Sequence, residues 1–190
     1  MQLKSVLIVG GGIGGLTAAI ALRRKGFPVE IIERDAEWTV YGVGIIQQFN
    51  VIRAMAQLDL LDAYLENAFG FDRTTIYGGP QGVEMADFNT PRLAGEAYPS
   101  NAGIRRTDLQ KVLVTRAKEL GATVRLGLTV SEMREDAEGV DVTFSDGSTG
   151  RHDIVIGADG VFSQIRGMIM PDAPKPRYTG QWVWRYNLPQ

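Results

Sequence analysis

Residues 5–15, "SVLIVGGGIGG", restrict this chain more than any other stretch. Residues 5–9 are short, apolar and rich in β-branched side chains, as a strand buried on both faces requires. Gly10, Gly11, Gly12, Gly14 and Gly15 then crowd into six positions. The wider run 7–22 carries no charge, is preceded by Lys4 and followed by Arg23 and Arg24, and contains Ala19-Ile20-Ala21 at a signal-peptidase spacing. An export signal or membrane helix therefore has to be weighed. The glycines argue against both, because each costs roughly 1 kcal/mol relative to alanine inside a helix. A run this short is also marginal for spanning a bilayer. The GxxxG spacing of Gly10 and Gly14 comes with any glycine cluster and does not by itself mark a membrane dimer.

A dinucleotide-binding turn uses the glycines. Gly10-x-Gly12-x-x-Gly15 supplies a tight turn, a backbone that approaches a pyrophosphate closely, and close helix-to-sheet packing. A helix is expected over about residues 13–25, with Leu16, Ala19, Ile20 and Leu22 inward, Gly26 as its stop and Pro28 beyond. Its N-terminus offers free N–H groups and a positive dipole end to an anion. "PVEIIER" then gives a second strand over 29–32 that ends in Glu33, eighteen residues after Gly15. A carboxylate there can accept hydrogen bonds from ribose hydroxyls. Arg34 raises the alternative of a 2′-phosphate, which Glu33 would repel, so Arg34 is placed beside an adenine ring.

The remainder departs from simple alternation of strands and helices. "YGVGII" puts Gly42 and Gly44 in a loop, and Val51, Ile52, Met55 and Leu58 form a helical stripe after it. Residues 72–100 hold short strand-like pieces and read as an insertion. A helix follows with a capping box at Thr107 and Gln110, and Gly121 ends it before a third parallel strand, "ATVRL". Arg106 precedes that cap and can add charge to an anion site. "TVSEMRE" and "GVDVTFSDGS" form an antiparallel excursion with Asp146-Gly147 at its turn. The apolar strand "DIVIG" then runs into "ADGVFSQIR", which sets Asp159 and Gly160 at a strand's C-terminal end, where open α/β sheets bind ligands. Asp159 is equally placed to cap the helical turn that follows, and the two roles are compatible.

These segments together carry a family resemblance. "VGGGIGGLTAAIALRRKGFPVEIIER", "GVGI", "RRTDLQKVL" and "DIVIGADGVFSQIR" resemble the aromatic-ring hydroxylase branch of FAD-dependent monooxygenases, the para-hydroxybenzoate hydroxylase-like family, and the matches span residues 5–166. The resemblance implies FAD as cofactor, NAD(P)H as reductant, and molecular oxygen and an aromatic or related small molecule as substrates. By position it implies Gly10, Gly12, Ile13, Gly14 and Gly15 at the pyrophosphate, Glu33 at the adenosine ribose, and Arg34 near the adenine. Gly42, Val43 and Gly44 would lie toward the ribityl or flavin side, Arg106 at FAD, Val130 in a backbone contact to the adenine, and Asp159 and Gly160 in a motif shared by FAD and the NAD(P)H path. The expected architecture is α/β: a Rossmann-like FAD-binding domain over 1–71 and 101–169, with an interleaved α+β substrate domain begun by 72–100 and 170–190.

Two departures from the family pattern stand out. Asp59 occupies a position where members often have glycine, and a Gly-Asp-Ala-Ala-type flavin segment occurs nowhere. The closing "TGQWVWRYNLPQ" reads as an alternating strand with Trp182 and Trp184 on one face. The expectation is the N-terminal portion of a longer or split enzyme, partnered by a second copy or by a complementary C-terminal chain. The competing readings are a noncatalytic FAD-binding fragment and a flavin- or NAD-linked dehydrogenase. No residue's spacing singles it out as catalytic. The chain has no cysteine and one histidine, His152, which excludes disulfides, thiolate sites and multi-histidine metal centres. With a net charge of −2 and no long basic run, it offers nothing to a nucleic acid. The absence of cysteine fits the cytoplasm.

Overall fold

The computed structural model describes residues 3–40 and 42–182. Along the chain come β1 (Val6–Val9), α1 (Ile13–Arg24), β2 (Val29–Glu33), β3 (Gly44–Gln48), α2 (Phe49–Gln57), α3 (Leu61–Glu66) and β4 (Ala68–Phe71). They are followed by β5 (Arg73–Gly78), β6 (Val83–Asn89), β7 (Asn101–Arg105), α4 (Arg106–Glu119), β8 (Thr123–Leu126) and β9 (Val130–Asp136). The last are β10 (Gly139–Phe144), β11 (Thr149–His152), β12 (Ile154–Gly157) and α5 (Gln164–Ile169). They divide into two compact units: one draws its described residues from Met1–Tyr41 and Leu113–Tyr186, the other from Gly42–Val112.

The first unit is organised by a four-stranded sheet in the order β12-β1-β2-β8, with every pair parallel. β1 is central, and Val6, Leu7, Ile8 and Val9 are all buried, because a parallel strand covered on both faces has no solvent side. Gly15 of α1 packs against Ile8, and Leu16, Ala19 and Ile20 are fully buried. Leu7, Val9 and Ile32 belong to a core shared with Val130, Val142 and Phe144 of the antiparallel sheet β11-β10-β9, and with Ile165 of α5. The β10–β11 turn is built as its Asp-Gly pair requires: Gly147 has φ +82°, and the Asp146 carboxylate accepts the Ser148 N–H at 2.9 Å.

In the second unit β7 lies between β3 and β4 in an antiparallel sheet, and among the described residues β5 pairs only with β6. Ile52, Met55, Leu60, Leu61, Tyr64, Ala102, Ile104 and Leu109 are its buried apolar residues near the helices and sheet. Two local expectations change here. The segment from Gly44 is a strand and not a loop, because Gly44–Gln48 finds a partner in Asn101–Arg105. The helix expected to be capped at Thr107 already begins at Arg106, and Arg105 pairs with Asp108 at 2.6 Å across its first turn. Asp59, noted for the absence of glycine, follows α2 with φ +58°; that is the left-handed helix-end conformation that glycine adopts without cost. Beyond Trp182 the expected final strand lies outside the described residues.

Candidate functional site

The C-terminal ends of β1, β2 and β12 open on a cleft of about 230 Å³ in the first unit. This is where an open parallel sheet binds ligands. Gly10 makes the turn out of β1. Its φ is +113°, and a Cβ there would overlap the Ala158 carbonyl at the end of β12, so only glycine satisfies both backbone and neighbour. Gly15 is fixed differently: a Cβ on it would overlap the Gly10 carbonyl oxygen. The turn and the first helical turn can approach this closely only without that side chain. Gly12 lies at the N-cap of α1 with no side-chain cap, no acidic residue stands in the first turn, and a Cβ at Gly12 or Gly14 would meet nothing within 4 Å. The helix thus presents its positive end beside open space, as an anion requires.

Glu33 ends β2 in the cleft wall. Its Oε2 accepts the Gly11 N–H at 2.8 Å and its Oε1 accepts the Asp35 N–H at 2.9 Å. The carboxylate therefore ties the glycine turn to the next strand. A carboxylate has about four lone-pair sites, so two remain for a ligand. Arg34 lies next to it in the wall.

Asp159 and Gly160 close the opposite side. The Asp159 Oδ2 accepts the N–H groups of Gln164 at 2.7 Å and Ile165 at 3.1 Å, and its Oδ1 accepts the Ser163 hydroxyl at 2.5 Å. The Ser163 oxygen in turn accepts the Arg166 N–H at 2.9 Å. Asp159 is therefore both a wall residue and a cap of α5. Burial works to raise its pKa, but the bonds from Ser163, Ile165 and Gln164 outweigh that and hold it below the ordinary carboxylate value.

Of the residues singled out in the sequence, Gly10, Gly12, Glu33, Arg34, Asp159 and Gly160 meet around this cleft. Ile13, Gly14 and Gly15 open the adjoining helix. Val130 has its side chain fully buried in the core, two positions from the wall residue Leu128. Gly42, Val43, Gly44 and Arg106 belong to the second unit, where Gly42 stands against Arg106: a Cβ at Gly42 would be 3.3 Å from the arginine Cδ. Sequence reasoning missed Leu128, Thr129, Phe162 and Gln164 in the wall. Phe162 is 83% exposed, and its place inside the Asp-Gly segment was the available signal. Leu128 and Thr129 follow β8 with no motif to mark them. Among the described residues no cluster of His, Asp or Glu could hold a metal ion, and no helix is long and apolar enough to cross a membrane.

The fold and cleft define a Rossmann-like dinucleotide-binding protein. Residues 4–184 match the FAD binding domain family, and the chain belongs to it. It is 34% identical over 185 residues to the aurachin C monooxygenase/isomerase of Stigmatella aurantiaca, covering 95% of this chain and 46% of that protein. It is 31% identical over 179 residues to the FAD-dependent urate hydroxylase of Klebsiella pneumoniae, covering 94% of this chain and 46% of the enzyme. Among solved structures, a tetrameric form of 2-methyl-3-hydroxypyridine-5-carboxylic acid oxygenase superposes with a TM-score of 0.76 at 27% identity, over 90% of this chain and 43% of that one. The chain spans about half the length of the curated relatives it matches.

Proposed function

We propose that the cleft seats the ADP half of FAD and that the protein works as the FAD-holding part of an NAD(P)H-driven monooxygenase, which hydroxylates an aromatic or related small molecule with oxygen as co-substrate. One observation carries this reading: an uncapped helix N-terminus, an acidic strand end and the Asp159-Gly160 segment converge at the C-terminal ends of three parallel strands. The donor set suits the group. Backbone N–H groups from Gly12 to Gly15 face a diphosphate, the two spare acceptor sites of Glu33 take ribose hydroxyls, and Arg34 with Leu128 and Thr129 flanks the adenine. The Val130 backbone belongs to that same end. Gly42, Val43, Gly44 and Arg106 serve the flavin side, and Asp159 with Gly160 lies beside the pyrophosphate. When bound, FAD would supply the redox chemistry between NAD(P)H and oxygen, while the protein binds it, orients it and excludes water. The FAD domain runs over 1–71 and 101–169, and the partner is a second copy or a C-terminal complement.

The test is a titration of the protein with FAD, NAD and NADP, followed by product analysis with NAD(P)H and candidate phenols. FAD binding that exceeds both nicotinamide cofactors supports the reading. The Glu33→Ala variant should lose about tenfold or more in FAD affinity, since a hydrogen bond to a charged acceptor contributes about 1.5–3 kcal/mol. An unchanged affinity in that variant removes the ribose role. Tighter binding of NADP than of FAD by the wild type overturns the choice of cofactor.

A further inference from the structure

The glycine signature explains Gly10, Gly12 and Gly15 and gives no reason for Gly11. In the structure Gly11 is buried, and what lies on it is an indole. A Cβ at Gly11 would stand 2.7 Å from Nε1 of Trp38, 3.0 Å from Cε2 and 3.1 Å from Cζ2, the three nearest atoms. Gly11 has no positive φ, so its backbone conformation would admit alanine. The Trp38 Nε1–H donates to the Gly11 carbonyl at 2.9 Å, while the Gly11 N–H donates to Glu33. The N–H of this residue is thus held from the end of β2 and its carbonyl from the segment that follows.

Trp38 is itself held at a cost. Its φ is +50°, a left-handed conformation that a bulky residue rarely adopts. The Asp35 turn imposes it: the Asp35 carboxylate accepts the N–H groups of Glu37 at 3.0 Å and Thr39 at 2.7 Å, and the Trp38 N–H donates to the Asp35 carbonyl at 3.2 Å. Those two backbone bonds, from Thr39 first and then Glu37, hold the Asp35 carboxyl below its ordinary value. The ammonium of Lys118 sits 5.7 Å from the centre of the Trp38 ring, within cation–π range. Strain that is retained under this many constraints is worth a functional question.

We propose that Trp38 is a positioning residue: its indole clamps Gly11 and keeps the Gly10–Gly12 turn in the shape that receives the cofactor pyrophosphate. The proposal rests on the reading of that turn as the FAD diphosphate seat. It also assigns Gly11 a reason of its own, space for the ring. A loosened turn lowers the fraction of molecules ready to bind, and the apparent dissociation constant rises by the inverse of that fraction.

Three measurements test it. Amide hydrogen exchange in the ligand-free protein should be faster across residues 10–14 in Trp38→Phe, which keeps a ring and loses the N–H, with the rest of the sheet unchanged. FAD and ADP affinities should fall together in that variant, by about three- to tenfold for one lost hydrogen bond, because both ligands share the diphosphate. Gly11→Ala should lose more than this in the wild-type background and much less in a Trp38→Ala background, a non-additivity that marks direct contact. Unchanged exchange at residues 10–14 in Trp38→Phe overturns the clamp, as does strict additivity of the double variant. Wild-type protein that binds ADP and not FAD refutes the cofactor reading instead, and the exchange and ADP arms still decide the clamp. General unfolding of Trp38→Ala would show as uniform exchange over the whole first unit and would count against a local role.

Discussion

β1 and the β5–β6 hairpin contain comparable numbers of apolar side chains and use them in opposite ways. In β1 every residue is buried, with parallel partners on both sides and packed layers above and below. In the hairpin Ile76, Tyr77, Val83, Met85 and Phe88 are all exposed, Met85 to 72%. There the strands are joined by their backbone ladder and by charge, with Arg73 bridging to Asp87 at 2.5 Å and, just outside the strands, Arg92 to Asp72 at 2.6 Å. Surface pairs of this kind contribute little, and two strands alone are marginal. Hydrophobicity in the sequence is therefore not a measure of stabilisation. What matters is whether a second layer covers it.

The contrast should be largest under truncation. Ile8→Ala is expected to cost about 2–5 kcal/mol, whereas Met85→Ser in the hairpin stays within about 0.5 kcal/mol; urea unfolding of both variants measures it. If the two effects were equal, burial would not be what separates the regions. Next in size is Gly15→Ala, expected to destabilise by about 1–3 kcal/mol through overpacking and to weaken FAD binding further as the turn is pushed from the helix. Unfolding and flavin titration on the same sample distinguish the two losses. His152 sharpens the comparison by pH. Burial, the largest influence, lowers its pKa; the Glu30 and Asp153 carboxylates oppose this and Arg125 reinforces it. The folded form thus favours neutral imidazole. Stability is full above the unfolded value near 6.5 and declines as pH falls below it. His152→Gln should flatten the melting temperature over that interval, and an unaltered profile would assign the acid loss to other groups. The smallest effect belongs to the second unit: Asp59→Gly should stabilise by up to about 1 kcal/mol, because the left-handed conformation after α2 is strained for a side chain. A lower denaturation midpoint would mean that interactions of Asp59 outweigh its backbone cost.

The same contrast explains what could be read from the sequence. β1, the glycine turn, α1 and β2 are contiguous, and each is announced by local chemistry: branched apolar residues, glycines at fixed intervals, and a carboxylate after the second strand. The Asp146-Gly147 turn was legible for the same reason. By contrast, β3, β4 and β7 have no signature of their own. "GIIQQ", "AFGF" and "NAGIR" become strands because Gly44–Gln48 and Ala68–Phe71 both pair with Asn101–Arg105, and no local window contains those partners. At the cleft, Glu33 was visible as a carboxylate at a strand end, but the backbone N–H groups it holds were not; for Asp159 the capping role was legible as well, because the helical turn follows it directly in sequence. Leu128 and Thr129 reach the wall only because β8 ends beside β2, which is a property of topology. Gly11 is the subtle case, since its constraint comes from an indole 27 positions later.

The pairing of β1 with β12 also sets a timetable for biosynthesis. Ser5 bonds to Asp153 across a separation of 148 residues, and Ala158, which meets the Gly10 turn, directly follows β12. A ribosome adding about 5–20 residues per second needs roughly 7–30 s to cover that distance. Throughout that interval the glycine turn, α1 and β2 can form, but the central strand keeps one unpaired edge. Such an edge is a template for another strand, so nascent chains on a crowded polysome are vulnerable at residues 6–9 until β12 emerges. Slow codons placed between β8 and β12 would lengthen that exposure, while a chaperone that shields the first forty residues would matter most during it.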